Sequence, residues 1–279
     1  MSTTALQAAG ARMHELRHSW SPRLFLSELL LKQWFEPVIP FTVMIALAVY
    51  FSLTIKDYGT LSNLRSLMRL FAEFGFVALG MAFSLISGGI DLSVGAIFAL
   101  CNFTALFCLF VLGLPAPLVV IATLFTGAVV GAGNGVLIGY LKARPFLTTL
   151  VTLIILRACV NLLNERFATV FATNSVESDA WDFLGEGSVL GLPVNAAALI
   201  VVLLVGHIFL SRSRYGWHLT AIGASRKAAR HAGIRVNRML MVTYILSGVL
   251  CAAGPAACST RRGKAAPIRR PASAGNSRR

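Results

Sequence analysis

Gly88-Gly89-Ile90-Asp91-Leu92-Ser93-Val94-Gly95 sets a glycine pair and a carboxylate between two apolar runs, each long enough to cross a bilayer. A carboxylate at mid-membrane costs roughly 2.5–3.5 kcal/mol on insertion scales, so it usually has a structural or functional task. How much that argument is worth depends on whether Asp91 lies at membrane depth or at the edge.

The rest of the 279-residue chain agrees with a bilayer setting. It is 56% hydrophobic and only 13% charged, against about a quarter charged for a soluble domain. Its mean hydropathy is +0.74. The apolar residues come in long blocks rather than short periodic runs, which makes the chain an all-α, polytopic helical membrane protein. Spans are expected at 37–55, 67–86, 92–111, 117–141, 146–163, 194–210 and 239–257, about seven in all. Three domain-level segments follow. Residues 1–36 form an N-terminal segment with an interfacial helix at 21–36, residues 37–257 the transmembrane domain, and residues 258–279 a basic tail.

Charge placement sets the orientation. With the N-terminus in the cytoplasm, Lys142, Arg144 and the 211–238 loop also fall inside, and that loop carries Arg212, Arg214, Arg226, Lys227, Arg230, Arg235 and Arg238. The 164–193 loop, with Glu165, Glu177, Asp179, Asp182 and Glu186, falls outside. The net charge of +14 therefore reads as a topology signal, not a nucleic-acid footprint. Asp91 is expected near the cytoplasmic edge. There it either caps the third span or lines a solute path. Glu73 and Arg157, the other ionisable groups within apolar spans, are expected to be paired or near an interface. Trp34 and Trp217 sit near span ends as an aromatic belt would place them, with Trp20 and Trp181 farther out.

Enzymatic signatures are missing from the sequence. It has no GxxxxGK[ST] loop, no HExxH, no GxSxG and no metal-spaced His/Cys set, so neither a cofactor nor a metal is expected, and the chain is not expected to hydrolyse ATP itself. Cys101, Cys108, Cys159, Cys251 and Cys258 form no CxxC pair and read as small apolar filler. Gly127, Gly131, Gly135 and Gly139 recur every fourth residue, the mark of close helix–helix contact. Asn134 beside them can hydrogen-bond across helices. Residues 225–232 read as a short helix with Ser225 as N-cap and Gly233 as stop. Its alanines form either a docking surface for a protein or a solvated basic loop against anionic lipid.

The motif at 88–95, with Ala78-Leu79-Gly80-Met81 before it, resembles the signature of permease subunits of ribose/xylose-type sugar ABC importers. Three further stretches match in order. They are Gly133-Asn134-Gly135 with Leu137-Ile138, Pro145-Phe146-Leu147-Thr148-Thr149-Leu150 with Arg157, and Tyr215-Gly216 through Gly233-Ile234, and Tyr244 with Leu246-Ser247-Gly248 continues them. The resemblance implies a monosaccharide pathway through the inner membrane with a second permease subunit as partner. It further implies separate ATP-binding cassette ATPase subunits and a periplasmic sugar-binding protein. Gly88, Gly89, Asp91, Ser93, Gly95 and Asn134 become family-motif and candidate pathway residues. Gly216, Ala221, Gly223, Ala228, Ala229 and Gly233 become the ATPase-coupling segment. A stand-alone secondary transporter or channel is the alternative. The family continues beyond this chain, and apolar character fails after Ala253, so a truncated or frameshifted, non-functional permease fragment is a further expectation.

Overall fold

Long apolar helices dominate because a chain in hydrocarbon must satisfy every backbone donor and acceptor internally. The computed structural model describes residues 35–173, 179–189 and 191–258. The helices are α1 (Phe35–Thr54), α2 (Leu61–Ile86), α3 (Val94–Phe110), α4 (Ala116–Gly139), α5 (Pro145–Thr173), α6 (Asp179–Glu186), α7 (Val194–Arg212), α8 (Arg214–Ala224), α9 (Arg226–His231) and α10 (Val236–Cys258). A two-residue pair of strands, β1 (Ser188–Val189) and β2 (Leu192–Pro193), lies antiparallel between α6 and α7. Among the described residues, five helices are long and apolar enough to cross a membrane, and Val38–Thr54 and Val94–Phe110 are shorter apolar helices. The chain is thus an all-α, multi-pass membrane protein, and the seven expected spans each coincide with a helix. The interfacial helix at 21–36 and the basic tail lie almost wholly outside the described residues.

The chain divides into two compact units, residues 1–64 and 65–279. The first contains α1 and the opening of α2. In the second, α10 is the central helix: 61% of its most apolar window is buried, against 11% for α5 and 6% for α7. Its principal neighbour is α4, and the glycine stripe explains why. A Cβ on Gly127 or Gly131 would meet the carbonyl oxygen of Gly248 or Tyr244, and one on Gly135 or Gly139 would come within 2.8 Å of Met241 Cα or 2.7 Å of Asn237 oxygen. Removing four side chains lets the two backbones touch over three turns. The apolar core beside this contact joins Val94, Ile97 and Cys101 of α3 to Cys251 and Ala252 of α10.

Two expectations need correction. The acidic 164–193 segment is not simply a loop, because α5 runs on to Thr173. Phe167 and Phe171, four residues apart, reach rings on α3, with centroid separations of 5.2 Å for Phe107–Phe167 and 5.7 Å for Phe103–Phe171. That aromatic contact carries the helix past the point where apolar periodicity fades. Trp181 does not stand farther out. It is 3% exposed, packed with Ala105, Leu109 and Val119. Trp217 is 70% exposed, whereas Trp20 and Trp34 lie outside the described residues.

Candidate functional site

The break between α2 and α3 is built from residues that cannot continue a helix. Gly88 adopts φ +75°, a left-handed backbone open to glycine at little cost. The following residues, 89–92, have no regular structure. Thr149 of α5 holds them: its hydroxyl accepts from Leu92 N at 3.2 Å and lies 3.2 Å from the Ile90 carbonyl oxygen. An irregular segment at this depth is tolerated because protein groups, not lipid, satisfy it.

Asp91 is 1% exposed. Its Oδ1 accepts from Ser93 N at 3.0 Å and Ser93 Oγ at 2.6 Å, and its Oδ2 accepts from Ser247 Oγ at 3.4 Å. It therefore closes a tight turn onto Ser93, the residue in the cap position of α3, rather than capping the helix directly. The hydrogen bonds continue outward. Asn134 Nδ2 donates to Ser93 Oγ at 2.9 Å, and Thr152 Oγ1 donates to Asn134 Oδ1 at 2.7 Å. One chain of polar groups thus links α10, the break, α4 and α5. The expected cross-helix role of Asn134 is what the structure has.

The expected depth of Asp91 is not. Its partner Ser247 is eleven residues into α10, about 16 Å along the axis at 1.5 Å per residue. That position is close to the midpoint of the candidate span Val236–Ala256. Asp91 reaches this level because the irregular residues 89–92 turn back into the bundle before α3 begins. Being enclosed by donors, not lying at an edge, is what lowers its cost. Tyr244, fully buried, directs its hydroxyl to Gly89, where a Cβ would come within 2.6 Å, and that hydroxyl has no hydrogen-bond partner among the described residues.

The basic segment is more ordered than expected. Besides the anticipated short helix, here α9, it contains α8. Serine caps start both: Ser213 Oγ accepts from Gly216 N at 3.2 Å, and Ser225 Oγ accepts from Ala228 N at 3.3 Å. Gly233, at φ +81°, ends the turn after α9. Ile222 and Ala229 are buried with Ile138, Val236, Leu240 and Tyr244, so Ala229 faces the core and is no part of an outer surface. Gly216 is buried against the Leu210 carbonyl and Ala221 is half-buried; Ala224, Ala228 and Ala232 are the exposed small side chains. Burial pushes the Tyr215 phenol above its usual range, opposed by its 2.8 Å hydrogen bond with Thr243. Most telling is Gly223, where a Cβ would meet the carbonyl oxygen of Ile86 and come within 3.5 Å of Gly88 N. The basic segment therefore rests directly on the turn that leads to Asp91.

Gly95 differs from its motif neighbours: no atom lies within 4 Å of where its Cβ would be. It faces a cavity of about 370 Å³ between α3 and α5, lined also by Arg157, Asn161 and Asn164. Arg157 has no ion pair or hydrogen bond among the described residues, so the expected pairing is absent there. Glu73 likewise shows none, but its backbone is opposite Gly254, close to the end of the α10 span, where an interface position was expected. No group of three or more metal-ligating side chains occurs among the described residues.

Comparison with known proteins adds context. A family model described as branched-chain amino acid transport system / permease component matches residues 63–273, past the point where apolar character fails. The galactofuranose transporter permease of Escherichia coli K12 is 33% identical over 182 residues, covering 65% of this chain and 51% of its own length. The ribose import permease of Bacillus subtilis 168 is 33% identical over 229 residues, covering 82% of this chain and 70% of its own. The autoinducer 2 import permease of Escherichia coli O157:H7 is 33% identical over 216 residues, 75% of this chain and 65% of its own. The chain thus spans about half the length of the first of these relatives and seven-tenths of the second. No solved structure matches it.

Proposed function

The chain belongs to the family of transport-system permease components, and on that premise we propose that it is the membrane-spanning subunit of an ABC importer for a monosaccharide. The named substrates of the relatives, ribose and galactofuranose, favour a sugar over the amino acids in the family description. Separate ATPase subunits drive transport, a periplasmic sugar-binding protein delivers the solute, and a second permease subunit completes the path through the inner membrane. The N-terminus and the 211–238 segment face the cytoplasm, in keeping with the lysine and arginine bias.

The observation that carries the mechanism is the contact of Gly223 with the Ile86–Gly88 backbone. In this reading α8 and α9 receive the ATPase, offering Ala224, Ala228 and Ala232 as a close-approach face. Displacement of α8 is delivered to Gly88 and so to the irregular segment holding Asp91. A rigid, serine-capped pair of helices suits that task better than a loop lying on lipid.

The test is uptake of labelled ribose or galactose into proteoliposomes. ATP-dependent uptake that requires both the ATPase and the binding protein is expected. Uptake by this chain alone, driven by an ion gradient, would point to a stand-alone transporter and sink the proposal.

A further inference from the structure

The motif and the coupling contact leave unused a polar cavity between α3 and α5. One wall is small and smooth, made of Gly95, Ala96 and Ala99; the other carries Arg157, Asn161 and Asn164. Those three polar residues follow i, i+4, i+7 spacing and so share one face of α5. At about 370 Å³ the space falls in the range of small-molecule sites, roughly 300–1,000 Å³.

Its depth gives it meaning. Thr152 bonds Asn134, and Gly131 and Gly135 of the same helix pack against Tyr244 and Met241. Arg157 is five residues further along α5, about 7–8 Å, which brings it level with the middle of the Val236–Ala256 span. A guanidinium there, without a partner among the described residues, is costly against acyl chains and belongs beside water, a solute or protein. The donor set separates these. A guanidinium only donates, whereas two carboxamides both donate and accept, the combination that hydroxyl groups use.

We propose that this cavity is a binding station for a neutral, hydroxyl-rich solute of monosaccharide size, with Arg157, Asn161 and Asn164 as its polar contacts and Gly95 and Ala99 leaving room for the ring. The assignment rests on the permease reading and locates the solute within it, on α5 rather than at Asp91, whose carboxylate is already occupied by Ser93 and Ser247.

The experiment uses the full chain in native membranes, with Cys159→Ser and Cys258→Ser removing the background. Cysteine is introduced singly as Asn161→Cys, Asn164→Cys and Leu162→Cys, the last at a position 68% exposed on another face of α5. The probe is the anionic reagent 2-sulfonatoethyl methanethiosulfonate. Positions 161 and 164 are expected to react at least about tenfold faster than 162, because an ionic reagent is excluded from hydrocarbon. Millimolar D-ribose or D-galactose is expected to slow both, and Arg157→Gln to raise the sugar concentration required several-fold. Equal rates at the three positions, or fast rates that neither sugar slows, overturn the assignment. So do rates that become fast only when a dimer is dissociated, since the cleft is then a protomer contact. Labelling needs neither ATPase nor binding protein. Sugar-protected labelling without ATP-driven uptake therefore overturns the importer reading alone, and ATP-driven uptake without protection overturns this assignment alone.

Discussion

Asp91 shows how a carboxyl group is held at mid-span without a cationic partner among the described residues. Three donors, two of them from Ser93 and one from Ser247, converge on its two oxygens. Replacing it by alanine leaves the Ser93 and Ser247 groups buried without an acceptor, a loss of about 1–3 kcal/mol for each unsatisfied group. Asp91→Ala should therefore lower the melting temperature in detergent clearly. Asp91→Asn, which keeps an acceptor oxygen for Ser93, should lower it less. Equal melting temperatures for both variants and the parent would mean the network carries no stability. The carboxylate and Asn134 were visible in the sequence because polar residues stand out within apolar runs. Their pairing was not. Tyr244 and Ser247 were legible only as part of a family-like stretch, Ser247 is 156 positions from Asp91, and Thr152 looks like an ordinary span residue, so only the fold brings them together.

Among the elements, the α4–α10 contact was the most legible, since a four-residue glycine period has few other meanings. Its partner helix was not, because a stripe of absent side chains says nothing about what fills the groove. Two glycines of α4 provide a matched test. Gly131→Ala places a methyl group on the Tyr244 carbonyl and should cost about 1–3 kcal/mol through forced separation. Gly133→Ala meets nothing within 4 Å and should stabilise by up to about 1 kcal/mol, from helix propensity alone. Thermal unfolding in detergent distinguishes them, and an equal effect of both would contradict the packing described. The helix α8 went unread for a different reason. Its residues, with Gly216 and Gly223 inside, have weak intrinsic helix preference, and it exists because Leu219 and Ile222 are fully buried against the bundle.

For the whole molecule, the outward surfaces of α5 and α7 are largely apolar and unburied within one chain. Val201 of α7 is 59% exposed, and Val201→Asp should cost roughly 2.5–3.5 kcal/mol and reduce the inserted fraction recovered from membranes. Undiminished recovery would mean that face meets water or a polar partner rather than lipid. Coupling is also a property of the whole. Gly223→Leu should leave the chain inserted while abolishing the stimulation of ATP hydrolysis by the sugar-binding protein, measured in the reconstituted importer. Retained stimulation would dissociate the Gly88 contact from coupling. That contact has a mechanical asymmetry. Two backbones without side chains meet there, with no hydrogen bond between Gly223 and Gly88 among the described residues. Such a junction resists compression and adds little cohesion of its own, so what holds α8 to the turn is the packing of Leu219 with Phe83 and Ile86 beside it. In the importer reading, a push from α8 would reach the break through the glycines and a pull through that apolar contact.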